Sequence, residues 1–371
     1  MRKIRILHTA DLHLDSPFEG LGPCRAAVRR AEQRQLLDSL AQLAREKAAD
    51  IVLMSGDLLD SGSSSFETGE ELVRSLGNIP APVFISPGNH DFYSSRSPYA
   101  RLKMPENVHI FTSDKIECLE LPELAVRVCG AAFTDSRSGP LLSGFSAERE
   151  AGIFNLLCIH GEVGAPGSAY NPIREEELAA SGMDYAALGH IHKASGLLRA
   201  GSTWYSWPGC PEGRGFDETG EKYVNITELS EEGCRLEQIS IARRHYEILN
   251  VDVTDADPLA AVRAALPENT KNDIYRIVLT GETDEAPDLA ALRRNLPEAF
   301  FELQLRDKTR IRRDIWERAG EDSLIGIFLR KLKEMRDSAG TEDERQKAEQ
   351  AARWGLAALD NGEEVAVHED K

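Results

Sequence analysis

Side chains that bind divalent metals recur along this sequence, each directly after a short apolar run that is typical of a buried strand. The seven candidate ligands are Asp11, His13, Asp57, Asn89, His160, His190 and His192. Because ligand sites in open α/β sheets lie beyond the carboxyl ends of the strands, one sheet edge can gather all seven. Oxygen and imidazole donors without a cysteine indicate manganese, iron or zinc. The pattern therefore predicts an α/β domain built around a metal site.

Hydrophobic periodicity supports this fold class. Strand and helix patterns alternate along the first part of the chain, at 4–8, 25–47, 51–55, 67–76 and 82–86. Mostly strand-like runs follow up to residue 251, and two amphipathic helices are expected at 323–336 and 342–359. We therefore predict three parts, namely a catalytic domain over 1–245, a small α/β capping domain over 246–316, and C-terminal helices with an acidic tail over 317–371.

Composition narrows the protein class. No apolar run reaches the roughly 20 residues that a membrane-spanning helix needs, and the N-terminus lacks the apolar core of a signal peptide. The six cysteines show neither a CxxC pair nor regular spacing, so we expect reduced thiols in a cytoplasmic protein. A formal net charge of −18 argues against broad electrostatic adhesion to nucleic acid. Two bound divalent ions would nevertheless add about four positive charges at the site itself.

The Gly56-Asp57 motif suggests a shared ligand. Glycine permits a tight turn at the strand end, and the two carboxylate oxygens of Asp57 can touch two ions. Asp60, three residues later, is either an acceptor that orients a ligand histidine or a helix N-cap. His190 and His192 alternate in an extended segment, so they share a face and can serve neighbouring ions.

The tetrapeptide Gly88-Asn89-His90-Asp91 predicts both a ligand and a proton donor. Asn89 offers a neutral carbonyl oxygen. His90 would stand beside the metals, where it would stabilise charge on the phosphoryl group or protonate the leaving alkoxide. Asp91 would hold the His90 imidazole in place and raise its pKa.

In this order, the motifs resemble those of the calcineurin-like metallophosphoesterases. The stretches that carry the resemblance are Asp11/His13, Gly56-Asp57, Gly88-Asn89-His90-Asp91, His160-Gly161 and Gly189-His190-Ile191-His192. Residues 8–18, 207–214 and 324–331 are similar to the bacterial SbcD and YhaO-like DNA repair exonucleases. The resemblance implies a four-layer α/β/β/α sandwich with a small α/β cap, and it favours manganese over iron or zinc. It assigns one ion to Asp11, His13, Asp57 and His192, and the other to Asp57, Asn89, His160 and His190.

The expected function is that of a metal-dependent phosphodiesterase, more specifically a DNA exonuclease in DNA repair. Two ions that share Asp57 would activate a water for attack on phosphorus, while His90 assists the leaving group. The alternative is a stand-alone phosphodiesterase or phosphatase that acts on a small nucleotide or a phosphoprotein, and the net charge favours it. A non-catalytic scaffold is disfavoured because every ligand is present.

Basic and amphipathic segments suggest partners. The densest basic cluster consists of Arg306, Lys308, Arg310, Arg312 and Arg313. This cluster either contacts DNA phosphates or is a solvated charged segment. Four arginines at helical spacing are expected on an exposed helix face, at Arg25, Arg29, Arg30 and Arg34. The helix at 323–336 either packs within its own unit or docks a coiled-coil ATPase of the SbcC type, which the resemblance implies. A homodimer is implied in the same way.

Overall fold

The computed structural model describes residues 2–60, 65–283, 285–296, 300–311 and 315–361. The chain divides into two compact units. The first contains residues 1–249, 266–277 and 296–305, and the second contains 250–265, 278–295 and 306–371. The three-part division drawn from the sequence stays a prediction, and the segments 266–277 and 296–305, assigned there to the cap, belong to the first unit.

Strands dominate the first unit. They are β1 (Lys3–Thr9), β2 (Ile51–Met54), β3 (Val83–Ile85), β4 (Val108–Ile110), β5 (Glu117–Leu121), β6 (Val126–Gly130), β7 (Phe154–His160), β8 (Glu162–Val163), β9 (Pro172–Ile173), β10 (Tyr185–Gly189), β11 (Leu198–Ala200), β12 (Thr203–Ser206), β13 (Val224–Ser230) and β14 (Gly233–Ile239). The helices of this part are α1 (Pro23–Glu46), α2 (Phe66–Gly77), α3 (Pro98–Arg101) and α4 (Glu175–Ala180). Local sequence fixes their starts: Pro23 opens α1, and the Ser65 hydroxyl caps α2 by accepting from the Thr68 amide.

Two six-stranded sheets organise these strands. The first has the order β14-β13-β1-β2-β3-β4 and the second has the order β11-β12-β10-β7-β6-β5. The central strands β1 to β4 are parallel, as are β6, β7, β10 and β12, whereas β13, β14, β5 and β11 add antiparallel edges. Because parallel neighbours end on the same side, each sheet presents its strand ends to one rim.

The sheets pack face to face between two helical layers. One core cluster joins Ile6 and Leu53 of the first sheet to Leu156 and Tyr185 of the second. The neighbouring residues in the strands point the other way, since side chains alternate along a strand. In the first sheet these outer side chains pack on Leu37 and Leu40 of α1 and on Leu72 and Leu76 of α2. In the second sheet they pack on Leu178 of α4. The predicted four-layer α/β/β/α arrangement is confirmed.

The rest of the chain forms smaller elements. They are β15 (Tyr246–Asp252), α5 (Pro258–Ala265), β16 (Ile274–Thr280), β17 (Glu282–Thr283), α6 (Leu289–Asn295), β18 (Glu302–Asp307), β19 (Arg310–Ile311), a 3₁₀ turn (Glu317–Gly320), α7 (Leu324–Asp337) and α8 (Glu342–Asn361). The strands β15, β16 and β18 form a three-stranded sheet. The predicted C-terminal helices are confirmed. Among the described residues, no helix is both long and apolar enough to cross a membrane.

One prediction about the cysteines is wrong. Cys118 and Cys129 occupy directly opposite positions on the antiparallel strands β5 and β6, and they form a disulfide. Their Cα atoms lie 4.0 Å apart. The pairing of the two strands brings them together, and a spacing of eleven residues in the sequence does not predict it. The other four cysteines are free thiols, as expected.

Candidate metal centre

The ends of the central strands place the candidate ligands together. Thr9 pairs with Met54, and Met54 pairs with Ile85, so β1, β2 and β3 end side by side. Their following loops carry Asp11, His13, Asp57 and Asn89. In the second sheet, His160 at the end of β7 pairs with Gly189 at the end of β10, and His190 and His192 follow directly.

The structure brings all seven predicted residues into one centre. Three sets each have ligand atoms within 4.8 Å of one another, namely Asp11, His13 and His192; Asp57, His160 and His190; and His13, Asp57 and His90. Asn89 joins the second set, because its Oδ1 lies 3.0 Å from His160 Nε2 and 3.2 Å from His190 Nδ1. Asp11, His13, Asp57 and His160 are at most 1% exposed, whereas His90 is exposed.

Acceptors outside the centre fix two of the imidazoles. His13 Nδ1 lies 3.2 Å from a carboxylate oxygen of Asp60, and His192 Nδ1 lies 2.6 Å from a carboxylate oxygen of Glu218. The pKa of both carboxyl groups lies below its usual range, because the hydrogen bonds and charges around them outweigh the effect of burial. An ionised carboxylate only accepts, so each Nδ1 carries the hydrogen and each Nε2 presents a lone pair.

These two lone pairs face each other across 3.2 Å, the distance between His13 Nε2 and His192 Nε2. Two neutral imidazoles in this arrangement repel each other unless a cation lies between or beside them. Burial lowers the pKa of His13 to about 4, whereas the hydrogen bond to Glu218 raises the pKa of His192 against the effect of burial. With their Nδ1 atoms held by carboxylates and their Nε2 atoms converging, the two rings form a donor set that fits a divalent metal.

The other two imidazoles are held in a similar way. His160 Nδ1 donates to the Ser55 carbonyl oxygen at 2.8 Å, which leaves Nε2 directed at Asn89 and Asp57. His190 lies between Glu162, 3.2 Å from Nε2, and Asn89, 3.2 Å from Nδ1. Burial lowers the pKa of His190 to about 4, so this ring is neutral near pH 7 and keeps a lone pair for a metal.

Asp57 lies between the two halves of the centre. Its Oδ2 is 3.7 Å from His13 Nε2 and 3.4 Å from His160 Nε2, while its Oδ1 accepts from the His90 amide at 2.9 Å. Burial alone would raise the pKa of Asp57, but the charge and hydrogen bond of His160 outweigh burial and hold the pKa well below its usual range. In turn Asp57 raises the pKa of His160 to about 9, against the effect of burial.

The loops adopt unusual backbone conformations at the ligands. Asp11, His13, Asp57 and His190 have φ angles of 55°, 45°, 51° and 96°, in the left-handed region that residues other than glycine rarely enter. Gly88 allows a close approach of two loops, because a Cβ there would lie 2.3 Å from Asp57 Oδ1. Strain of this kind concentrates at functional sites.

The role predicted for Asp91 needs correction. Its carboxylate does not hold His90; it accepts from the backbone amides of Asp57, Leu58, Leu59 and Gly88 and from the Tyr99 hydroxyl. His90 Nδ1 instead lies 3.1 Å from the Asp60 carbonyl oxygen. The physical reason is orientation: the buried Asp91 side chain points beneath the loops, whereas the exposed His90 side chain points outwards.

Sequence reasoning missed two residues of the centre. Glu218 and Arg214 lie on the loop that follows β12, with the Arg214 guanidinium 2.8 Å from Glu218 and 3.2 Å from Asp60. Arg214 thus connects the two carboxylates that hold His13 and His192. No periodic pattern or short motif around residue 218 predicts a contact with the metal centre. Of the two alternatives for Asp60, the structure favours the acceptor, since Ser65 caps the next helix.

Two predictions about basic residues have different outcomes. Arg306, Lys308 and Arg310 are exposed and belong to the second unit, whereas Arg312 and Arg313 lie outside the described residues. The exposed face predicted for α1 is wrong at Arg29, which is fully buried and pairs with Glu32 at 2.9 Å and Glu212 at 3.0 Å.

Two stacked sheets with a buried histidine and aspartate centre at their rims define a metal-dependent hydrolase. Residues 4–194, more than half of the chain, match the family described as calcineurin-like phosphoesterase. The chain therefore belongs to this family, whose members are metallophosphoesterases. Divalent metals are the cofactors of the family, and the His and Asp groups of the centre can hold them.

Several curated relatives share this domain. The metallophosphoesterase YhaO of Bacillus subtilis is 30% identical over 277 residues, covering 70% of this chain and 65% of YhaO. The DNA double-strand break repair protein Mre11 of Methanosarcina acetivorans is 24% identical, covering 76% of this chain and 47% of that protein. The SbcD component of the nuclease SbcCD of Bacillus subtilis is 25% identical, covering 61% of this chain and 66% of SbcD. The chain thus spans about half to two thirds of the length of these relatives.

Proposed function

We propose that this chain is a dinuclear metal-dependent phosphodiesterase that degrades DNA as an exonuclease in DNA repair. The observation that carries the proposal is the position of Asp57 Oδ2, which faces His13 on one side and His160 on the other. A single carboxylate oxygen between two sets of imidazoles suits a ligand that bridges two ions. Two-metal centres of this kind suit phosphoester hydrolysis.

The proposed ligand sets follow the two halves of the centre. One ion would be held by Asp11, His13, Asp57 and His192, and the other by Asp57, Asn89, His160 and His190. Divalent ions there, of which we favour manganese, would neutralise charge on a phosphoryl group and acidify water. The protein supplies the orientation, because carboxylates or carbonyls hold the outer nitrogens of His13, His192 and His160.

His90 has a different proposed role. Its ring is exposed, and its Nδ1 lies 3.1 Å from the Asp60 carbonyl oxygen, which can only accept. Nδ1 therefore carries a hydrogen, and a proton delivered from Nε2 can reach the oxygen of a leaving group. Asp91 acts indirectly, by fixing the loop from which His90 projects.

The choice of DNA as substrate rests on the relatives, two of which carry names that denote a component of a nuclease and a DNA repair protein. The exposed residues Arg306, Lys308 and Arg310 are the proposed phosphate contacts. A stand-alone phosphodiesterase or phosphatase for a small nucleotide or phosphoprotein is the second candidate, because the net charge of −18 disfavours extended contact with nucleic acid.

A substrate panel separates the two candidates. The full chain with Mn²⁺ would be given linear double-stranded DNA, bis(4-nitrophenyl) phosphate and 4-nitrophenyl phosphate. We expect loss of linear DNA and diester hydrolysis, both abolished by Asp57→Asn and retained by Asp114→Asn, an exposed residue outside the candidate metal centre. Hydrolysis of the monoester alone, with intact DNA, would refute the nuclease proposal. DNA loss that survives Asp57→Asn would also count against it.

Helix α7 is the proposed contact with a coiled-coil ATPase. Leu329 packs on Ala352 and Leu356 of α8, so one face of α7 is used within its own unit. Leu324 and Ile327 remain 69% and 58% exposed, which leaves an apolar strip for a partner helix. Co-purification with an SbcC-type coiled coil should be lost in Ile327→Glu and unaffected by Lys333→Glu, which lies about 120° away from Ile327 around the same helix.

The cellular setting completes the proposal. We propose a cytoplasmic protein that also forms a homodimer. Light scattering on the purified chain tests the second point, and a monomer at every concentration would contradict it. Cell fractionation tests the cytoplasmic location. The Cys118–Cys129 disulfide gives a reason for this measurement, since disulfides are rare in reducing compartments.

A further inference from the structure

A cavity of about 480 Å³ adjoins the candidate metal centre. Its walls include His192, Lys193, Pro208, Thr219, Lys222 and Tyr223. This volume falls within the range of small-molecule sites in proteins. Because His192 lines both the cavity and the metal centre, a substrate whose reacting phosphate lies at the centre can extend into the cavity.

Lys222 is the unusual residue of the cavity. The residue as a whole is only 9% exposed, yet within the described part of the chain its side chain makes no hydrogen bond and no ion pair. Its ammonium nitrogen is open to the solvent of the cavity while the rest of the residue is buried, so an anion that enters the cavity can reach it.

The surrounding charges leave room for such an anion. Glu218 also lines the cavity, but its carboxylate already lies 2.6 Å from His192 and 2.8 Å from Arg214. Glu221 is directed at His245, 3.5 Å away. Lys193 is exposed and, among the described residues, has no ion pair, so a second ammonium group stands at the cavity, opposed by the exposed Asp217.

We infer that this cavity binds the nucleotide next to the scissile bond, with Lys222 contacting its phosphate. The inference rests on the proposed phosphodiesterase function and specifies its substrate. Lysine binds phosphate as a point charge with three donors. Pro208 and the half-buried Tyr223 offer an apolar wall for the sugar or base of the same nucleotide. A flanking phosphate, from a DNA strand or from a small nucleotide, is the shared chemistry that the cavity would recognise.

Kinetics on matched substrates test the inference. The substrates are a thymidine dinucleotide without terminal phosphate, the same dinucleotide phosphorylated at its 5′ end or at its 3′ end, and linear DNA. In Lys222→Met, KM should rise about tenfold for one phosphorylated dinucleotide and stay within about twofold for the unphosphorylated one. Lys222→Arg should keep KM close to the wild-type value, because the positive charge is retained. The exposed Lys115→Met should behave like the wild type. If KM of Lys222→Met also rises for linear DNA, the phosphate belongs to a DNA strand. If KM for linear DNA does not change, the phosphate belongs to a small nucleotide.

A binding measurement separates this inference from the proposed function. Thymidine 3′,5′-bisphosphate would be titrated calorimetrically into the protein in EDTA, where no hydrolysis occurs. Lys222→Met should weaken binding about tenfold. If that variant does not fold, the bisphosphate should still protect wild-type Lys222 from reductive methylation, followed by mass spectrometry.

The outcomes are distinct. Bisphosphate binding through Lys222 in a protein that hydrolyses no diester would support a phosphate site in the cavity and refute the proposed function. Diester hydrolysis with no effect of Lys222→Met on any substrate or on the bisphosphate would refute the inference alone. An equal KM rise for phosphorylated and unphosphorylated dinucleotides would also refute it, because Lys222 would then act on folding or on the centre as a whole.

Discussion

Glu218→Gln tests how the protein tunes one half of the metal centre. The substitution keeps the shape of a residue that is only 5% exposed and removes its charge. Glu218 Oε1 lies 2.6 Å from His192 Nδ1 and 2.8 Å from Arg214 Nη2, and Oε2 accepts from the Arg214 amide at 2.8 Å. A glutamine oxygen can keep one of these contacts, but without a negative charge it cannot both accept from the imidazole and neutralise the guanidinium.

The expected magnitude follows from these contacts. Burial lowers the pKa of His192, yet the hydrogen bond that its ring donates to Glu218 outweighs burial and raises the pKa overall. Without that carboxylate the ring becomes less basic, and the unbalanced charge of Arg214 repels an incoming cation. Loss of a residue that orients a metal-binding histidine typically weakens metal binding about 10- to 100-fold, which is about 1.4–2.7 kcal/mol. We expect the upper half of this range, because two effects act in the same direction.

Calorimetric titration of the metal-free protein with Mn²⁺ measures the effect directly. Wild type should bind two ions, and Glu218→Gln should weaken the binding of one ion while leaving the other within about threefold. Asp217→Asn is the matched control, since Asp217 is the exposed neighbour and, in the described chain, makes no side-chain hydrogen bond or ion pair. Equal weakening of both ions, or a change below about threefold in either, would refute the reasoning, provided that the thermal midpoint shows a folded variant.

Three further predictions concern stability and thiols. Arg29→Met should lower the free energy of unfolding by about 3–5 kcal/mol in urea titration, because buried Glu212 loses its ion-pair partner and buried Glu32 keeps only Arg243 and Arg244, whereas Arg30→Met should change it by about 0.5 kcal/mol or less. Burial lowers the pKa of His8 to about 3, so the unfolded chain takes up a proton that the folded chain does not as pH falls from 6.5 towards 3. Stability should therefore drop over this window, by at most about 1.4 kcal/mol per pH unit for this residue, and less steeply in His8→Asn; identical slopes would contradict the assignment. Denatured, unreduced protein should titrate four free thiols and reduced protein six; six in both would rule out the bond between Cys118 and Cys129.

The candidate ligands could be predicted because their signal is local. Asp57 follows β2 after Ser55 and Gly56, and His160 closes β7, so an apolar run and the few residues after it suffice to place each residue at a strand end. Parallel strands with aligned ends then bring such positions together without further information. The α/β class was predictable for the same reason, since strands and helices alternate with clear periods, whereas the four-layer arrangement followed from the family resemblance.

Pairings over long sequence distances could not be predicted. Glu218 meets His192 across 26 positions, in a loop whose path depends on the strands around it. Arg29 pairs with Glu212, although its position on an amphipathic helix suggested exposure. A buried charge is tolerated only where a partner neutralises it, and a single sequence does not state which distant residue will do so.

Asp91 shows how a correct residue can receive a wrong role. Adjacency in the chain suggested a contact with His90, but neighbouring side chains in a tight loop point in different directions. The carboxylate instead collects amides from the loop after β2 and from Gly88 in the loop after β3, and thereby ties two ligand-bearing loops together. Asp57 in the first of these loops has a φ of 51°, a conformation that costs about 1–3 kcal/mol and persists only where the surroundings enforce it. The hydrogen bonds to Asp91 hold this conformation in place. The position of the Asp57 carboxylate therefore depends on Asp91, which itself is not among the candidate ligands.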